Sequence, residues 1–102
     1  QKAFPAEQRQ GRLRLVASPD GADGAVRLHA DARLYAGLLG AGDHVEQGLA
    51  PARKASVHLV RGTLLANGQP LSGGDALMLE GEAMLTLERA EQAEVLVFDL
   101  HP

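Results

Sequence analysis

The stretch spanning residues 56–82 constrains the fold most, because turn signals divide it into short apolar runs. Asn67-Gly68 is the strongest signal, since both central residues of a type I′ hairpin turn need a positive φ. Gly62 before it and Gly74-Asp75 after it indicate two further turns. The pattern predicts three short strands joined by tight turns, with Asn67-Gly68 at a hairpin tip.

Alternating runs continue on both sides of this stretch and predict further strands. They span residues 12–17, 26–28, 32–39, 44–49, 83–88 and 94–100, with a polar turn at 89–92. Residues 32–39 are rich in Leu and Ala, which leaves a short helix as the alternative, but Gly37 and the pair Leu34/Ala36 favour a strand. Eight or nine short strands without a long amphipathic helix predict an all-β antiparallel sandwich or closed barrel.

The same alternation predicts the core. Residues 94–100 are apolar on both faces, which predicts burial on both sides of that strand. The side chains expected to be mostly buried are Val57, Leu59, Leu65, Leu77, Leu79, Leu85, Val95 and Val97.

Composition narrows the class of protein. A chain of 102 residues with 45% apolar residues can form one domain with one core. The net charge is -3 and the basic residues are scattered, which argues against a nucleic-acid partner; Arg53, Lys54 and Arg61 are expected to form a solvated face. The chain has no cysteine and no apolar run long enough to span a bilayer. We therefore expect a cytoplasmic protein without a membrane partner.

The first residues are polar and predict a linker. Residues 1–11 lead into one domain that spans residues 12–102. Their linker-like composition suggests that the chain is part of a longer protein. The loop at 18–24 holds Asp20 and Asp23, but it lacks the further oxygen ligands of a cation loop, so a plain turn is favoured.

Three segments in order carry a family resemblance. They are F-P-A-E-Q-R-Q-G-R-L-R-L-V at 4–16 with its continuation to 39, H-V-E-Q-G-L-A-P-A-R-K-A-S-V-H-L-V-R-G-T at 44–63 with its continuation to 83, and E-V-L-V-F-D-L at 94–100. Together they resemble the second cupin half of pirin-family bicupins. The resemblance implies a cupin-type barrel, also called a jelly roll or double-stranded β-helix. It further implies a preceding N-terminal cupin that binds one divalent transition metal on three histidines and a glutamate, in a protein of the quercetin 2,3-dioxygenase type.

The ligand pattern of metal-binding cupins is absent from this chain. That pattern is H-x-H-x(3,4)-E before a strand ending in Gly, because residues at i and i+2 of a strand face the same side. With Gly62 as the reference, the glutamate falls at Lys54 or Ala55 and the histidines near Gly48 and Ala50. No histidine follows in 76–87. We therefore expect no metal, no cofactor and no catalytic residue in this domain.

Four histidines remain, and no two have ligand spacing: His29, His44, His58 and His101. His44 shares a strand face with Glu46, and this pair is the best remaining metal candidate, although a third ligand is missing. His58 lies opposite its apolar neighbours, and a hydrogen-bonded structural role is favoured for it.

Two functions follow from these features. The first is a metal-free C-terminal cupin with a structural or docking role beside the catalytic N-terminal cupin of the same protein. The alternative is a stand-alone small cupin that binds a small ligand, or acts as a dioxygenase, through a non-standard site in its barrel. If the partner domain is absent, an exposed apolar surface also predicts self-association into a homo-oligomer.

Overall fold

The computed structural model describes residues 10–21, 24–27, 32–49 and 52–100. Within these ranges the chain forms eight strands and no α-helix, which confirms the predicted all-β class. The strands are β1 (Leu13–Ser18), β2 (Val26–Arg27), β3 (Ala32–Leu39), β4 (Val45–Gly48), β5 (Lys54–Ala66), β6 (Gln69–Ser72), β7 (Ala76–Glu80) and β8 (Met84–Leu100). The helix alternative for residues 32–39 is wrong, since they form β3. The predictions for His29, His101, Asp23 and the first nine residues lie outside the described ranges.

Two long antiparallel strands, β5 and β8, organise the sheet. The first half of β5 pairs with β7 and its second half with β6. The first half of β8 pairs with β4 and its second half with β3, which in turn pairs with β1. The sheet therefore has a larger half, in the order β2-β1-β3-β8-β5-β7, and a smaller half, β4-β8-β5-β6. Both halves contribute to one hydrophobic core.

The long strands bend where the sequence suggested that they end. Gly62 has φ +81°, and a Cβ built on it would lie 2.5 Å from the carbonyl oxygen of Glu91. Opposite it, Arg89 and Gln92 have φ 52° and 46°, and the pairing of β5 with β8 shifts register between Leu59 and Leu65. The predicted turns at Gly62 and at 89–92 are therefore wrong. They are bulges inside continuous strands, because pairing resumes on both sides of each.

The two other predicted turns are present. Asn67 and Gly68 have φ 47° and 79°, as a type I′ turn requires, and they connect β5 to β6. The Asn67 side chain also accepts a hydrogen bond from the Thr86 amide at 2.7 Å, which fixes the hairpin tip on β8. Gly74-Asp75 connects β6 to β7, and the Asp75 carboxylate accepts a hydrogen bond from the Ser72 amide at 2.9 Å.

The core contains most of the predicted side chains. Five are fully buried: Val57, Leu59, Leu85, Val95 and Val97. Leu77 and Leu79 are half-buried against the core.

Leu65 is also half-buried, and Leu64 faces the core in its place because the bulge shifts the register of β5. Along residues 94–100 only one face is fully buried. Leu96 and Phe98 on the other face are half-buried, so the prediction of burial on both sides is only partly right.

Candidate functional site

Of the positions expected for the cupin histidines, Gly48 is exposed and Ala50 lies outside the described ranges. Ala55, one of the two positions for the glutamate, is buried against Leu49 and Leu79 at one end of the barrel. Arg53 and Asp99 border the same place. The side chains described there leave no space for a water molecule. The described side chains around Ala55 therefore leave no room there for a bound ligand.

An ion pair closes this end. Arg53 Nε donates to Asp99 Oδ1 at 2.6 Å, and Arg53 Nη2 donates to the Asp99 carbonyl oxygen at 3.4 Å. The two side chains are only 19% and 22% exposed, so they interact with little screening by water. The expectation of a solvated Arg53 is wrong for this reason. Lys54 and Arg61 are exposed as expected, and each lies beside a carboxylate.

Tyr35 lies on the inner side of the same end of the sheet, where it packs against the core. Burial raises the pKa of its phenol, the negative charge of Asp99 raises that pKa further, and Arg33 partly opposes the effect. The phenol therefore stays protonated at neutral pH and is not activated as a base or nucleophile.

His44 and Glu46 do share an exposed face, as predicted. His44 Nε2 lies 3.4 Å from Glu46 Oε2, and His44 Nδ1 lies 3.5 Å from Glu88 Oε2 on the neighbouring strand β8. The carboxylates thus approach opposite nitrogens of the ring, and one ion cannot contact both nitrogens. In the part of the chain that the structure describes, no group of three or more His, Cys, Asp or Glu side chains is arranged to hold a metal ion.

His58 is held by two neighbours on the outer surface of the larger half. Its Nε2 lies 2.7 Å from Ser56 Oγ, and its ring meets Phe98 edge to face, with centroids 5.2 Å apart and an interplanar angle of 80°. The predicted hydrogen bond of His58 to a neighbouring group is confirmed. Both contacts orient an imidazole that is itself exposed.

An open groove of about 720 Å³ lies outside the core, beside the bend of β5 and β8. Gln10, Asp43, Arg61 and Gln92 supply its polar side chains. Asp43 already accepts a hydrogen bond from the Gly40 amide at 2.8 Å, and Arg61 pairs with Glu94 at 3.0 Å. The charges of the groove are therefore engaged within the protein.

Across the described ranges, no helix could cross a membrane.

Comparison with known proteins gives a consistent set of matches. A family model described as the quercetinase C-terminal cupin domain matches residues 15–100. A quercetin 2,3-dioxygenase of Escherichia coli K12 is 32% identical over 102 residues, which is 100% of this chain and 43% of that protein. A putative quercetin 2,3-dioxygenase of Pseudomonas aeruginosa is 33% identical over 97% of this chain and 43% of its own length.

Solved structures agree with these matches. YhhW from Escherichia coli superposes with a TM-score of 0.90 at 32% identity, over 99% of this chain and 42% of that one. A structure of YhhW in complex with nickel(II) gives a TM-score of 0.84 over 88% of this chain and 39% of that one. A cupin protein from Bacteroides fragilis, 16% identical with a TM-score of 0.64, shares the fold and confirms the cupin type. The chain spans less than half the length of the curated relatives it matches.

Proposed function

The chain belongs to the family of quercetinase C-terminal cupin domains, and from that premise we propose that it is the metal-free, non-catalytic cupin of a longer quercetin 2,3-dioxygenase-like protein. In this proposal residues 12–102 form the domain and residues 1–11 link it to a preceding cupin. The preceding cupin holds one divalent transition metal and carries the chemistry. The domain formed by residues 12–102 has a structural or docking role beside that catalytic cupin.

The filled end of the barrel carries this proposal. A cupin metal needs at least three convergent ligands and room for a substrate atom beside the ion. Here Leu49, Leu79 and the Arg53–Asp99 pair line the space beside Ala55, which is too small for a water molecule. The pair joins the residue before β5 to the end of β8.

The lengths of the relatives support the proposal of a preceding cupin in the same polypeptide. The quercetin 2,3-dioxygenases that match this chain are more than twice as long as the matched region. The family description assigns the matched part to the C-terminal side. A second domain in the same polypeptide therefore accounts for the remaining length.

The alternative is a stand-alone cupin that uses its barrel interior. The interior is packed with Leu, Val and Ala side chains, which disfavours a ligand there. The surface groove beside Asp43 and Arg61 has room for a small molecule, but its charges are already paired. The structural role is therefore better supported.

The turnover of quercetin tests the proposal. The purified chain would be incubated with quercetin and oxygen in the presence of nickel(II), iron(II), copper(II) or zinc(II) in turn. We expect no turnover above that of the free metal ion. Turnover by the chain that disappears in a His44→Ala variant would contradict the proposal, because it would reveal a site built on His44 and Glu46.

A further inference from the structure

The outward surface of the larger half carries a group of apolar side chains. Two of the three exposed large hydrophobic side chains in the described ranges lie on it, Val60 at 50% and Met78 at 53% relative exposure. We call the surface the outer apolar face and define it by the exposed Val60 and Met78 and the half-buried Leu38, Leu96 and Phe98. These residues alternate with the inward side chains of β3, β5, β7 and β8, and cross-strand pairing brings them together.

Two ion pairs lie at the ends of this face, and Leu38 lies in the row of one of them, opposite Glu94. Arg61 and Glu94 pair at 3.0 Å at the end near the strand bend, and Lys54 and Glu80 lie 3.8 Å apart at the other end. An apolar centre with a charged rim is the usual anatomy of a protein–protein interface. Scattered exposed apolar residues would not show this arrangement.

The centre of the face is ordered without a partner. His58 is held by Ser56 Oγ at 2.7 Å and by the edge of the Phe98 ring. Fixing an aromatic side chain before association lowers the entropy lost when a partner binds. His58 and Phe98 are therefore suited to be anchors of an interface.

We propose that the outer apolar face is the surface on which the preceding cupin of the same polypeptide docks. This inference rests on the proposed function and adds the surface to it. The chain spans 43% of the Escherichia coli K12 quercetin 2,3-dioxygenase and 42% of YhhW, so most of each of these proteins lies outside the matched domain. A covalently linked domain has a high effective concentration and occupies such a face before a separate protein can.

Thiol labelling tests the face directly, because the chain contains no cysteine. Met78→Cys places a thiol on the face, and Met84→Cys is its matched control, since Met84 is 45% exposed on the smaller half. Each variant would be made in the 102-residue chain and in the whole polypeptide that its gene encodes. Labelling of the relevant peptide with a maleimide would be followed by mass spectrometry.

In the whole polypeptide we expect labelling at position 78 to slow by about tenfold or more relative to the isolated chain, because burial blocks thiol access. Labelling at position 84 should be equal in the two forms. Equal labelling at position 78 in both forms would overturn the assignment. Protection at position 78 in the isolated chain that rises with protein concentration would also overturn it, since a second copy would then cover the face. A gene that encodes no preceding domain would overturn it as well.

This result is independent of the turnover test. If the chain oxidises quercetin but position 78 is protected in the whole polypeptide, the metal-free role fails and the docking face stands. If the chain is inactive and position 78 is unprotected, the docking face fails alone.

Discussion

At the scale of single residues, the contact between Arg53 and Asp99 is the best place to test the closed end of the barrel. The side chains are mostly buried, and Arg53→Ala would leave the Asp99 carboxylate there without this partner. We expect the free energy of unfolding to fall by about 1–3 kcal/mol. Urea denaturation followed by circular dichroism measures this loss.

Lys54→Ala is the matched control for that variant. Lys54 lies 3.8 Å from Glu80, but the two side chains are 43% and 63% exposed. Exposed pairs of this kind contribute about 0–1 kcal/mol, so the control should change stability much less. Equal losses in the two variants would show that the Arg53–Asp99 pair is no more important than a surface contact.

Tyr35 gives a second residue-scale prediction, and it is the only tyrosine in the chain. Burial and Asp99 raise its pKa above the ordinary value of 10.0. The folded protein therefore resists ionisation of this phenol. Stability should be unaffected by Tyr35 below pH 10.0 and should fall as the pH rises from there through the raised pKa.

Absorbance at 295 nm reports this titration without interference from other tyrosines or from tryptophan. Asp99→Asn should move the midpoint down toward the ordinary value without reaching it, because burial is the larger cause. A midpoint at or below the ordinary value in the unchanged chain would show that Tyr35 is solvated.

The histidines form the third prediction at this scale. His58→Ala removes the contacts with Ser56 and Phe98 and should lower the free energy of unfolding by about 0.5–1.5 kcal/mol. His44→Ala removes only exposed contacts with Glu46 and Glu88 and should change it by less than about 1 kcal/mol. Thermal denaturation of both variants side by side would contradict this reading if His44→Ala were the more destabilising.

At the scale of the strands, the bend of β5 over β8 depends on Gly62. An Ala side chain there would contact the carbonyl oxygens of Glu91 and Gln92 and would require a positive φ. We expect Gly62→Ala to lower the free energy of unfolding by about 2–4 kcal/mol. Gly68→Ala also requires a positive φ, but no atom lies within 4 Å of its Cβ, so a loss of about 1–2 kcal/mol is expected.

Equal losses at Gly62 and Gly68 in urea denaturation would mean that only the φ angle matters at the bend. The comparison also bears on what the sequence can reveal. Asn67-Gly68 was correctly predicted as a turn because the type I′ geometry is a local property of two residues. Gly62 was assigned to a turn because its partners, Glu91 and Gln92, lie about thirty residues away in the chain.

Contacts between residues far apart in the sequence also limited the prediction of the core and of the candidate site. Leu65 was expected inward, and Leu64 takes that place because non-local pairing with β8 sets the register. The Arg53–Asp99 pair spans 46 positions and has no spacing signature. Asp99, the aspartate in the apolar run at 94–100, was the one sequence signal for this ion pair, since a half-buried carboxylate needs a partner.

At the scale of the whole molecule, the fold and the family could be predicted from the sequence, because segments that resemble the family occur in the same order along nearly the entire chain. The family model matches residues 15–100, and the structure of YhhW superposes with a TM-score of 0.90. The missing ligand pattern could also be read from the sequence. The side chains that surround Ala55 could not be predicted, because they come from separate parts of the chain.

Direct measurement of metal binding tests the central claim that the barrel is closed to a metal ion. Equilibrium dialysis of the chain against micromolar nickel(II), with metal content measured by atomic emission, needs no assumption about substrate. We expect no bound ion above background, because the cupin ligand pattern is missing and the space beside Ala55 and the Arg53–Asp99 pair is too small for a water molecule. Tight binding of one nickel ion per chain would contradict the account.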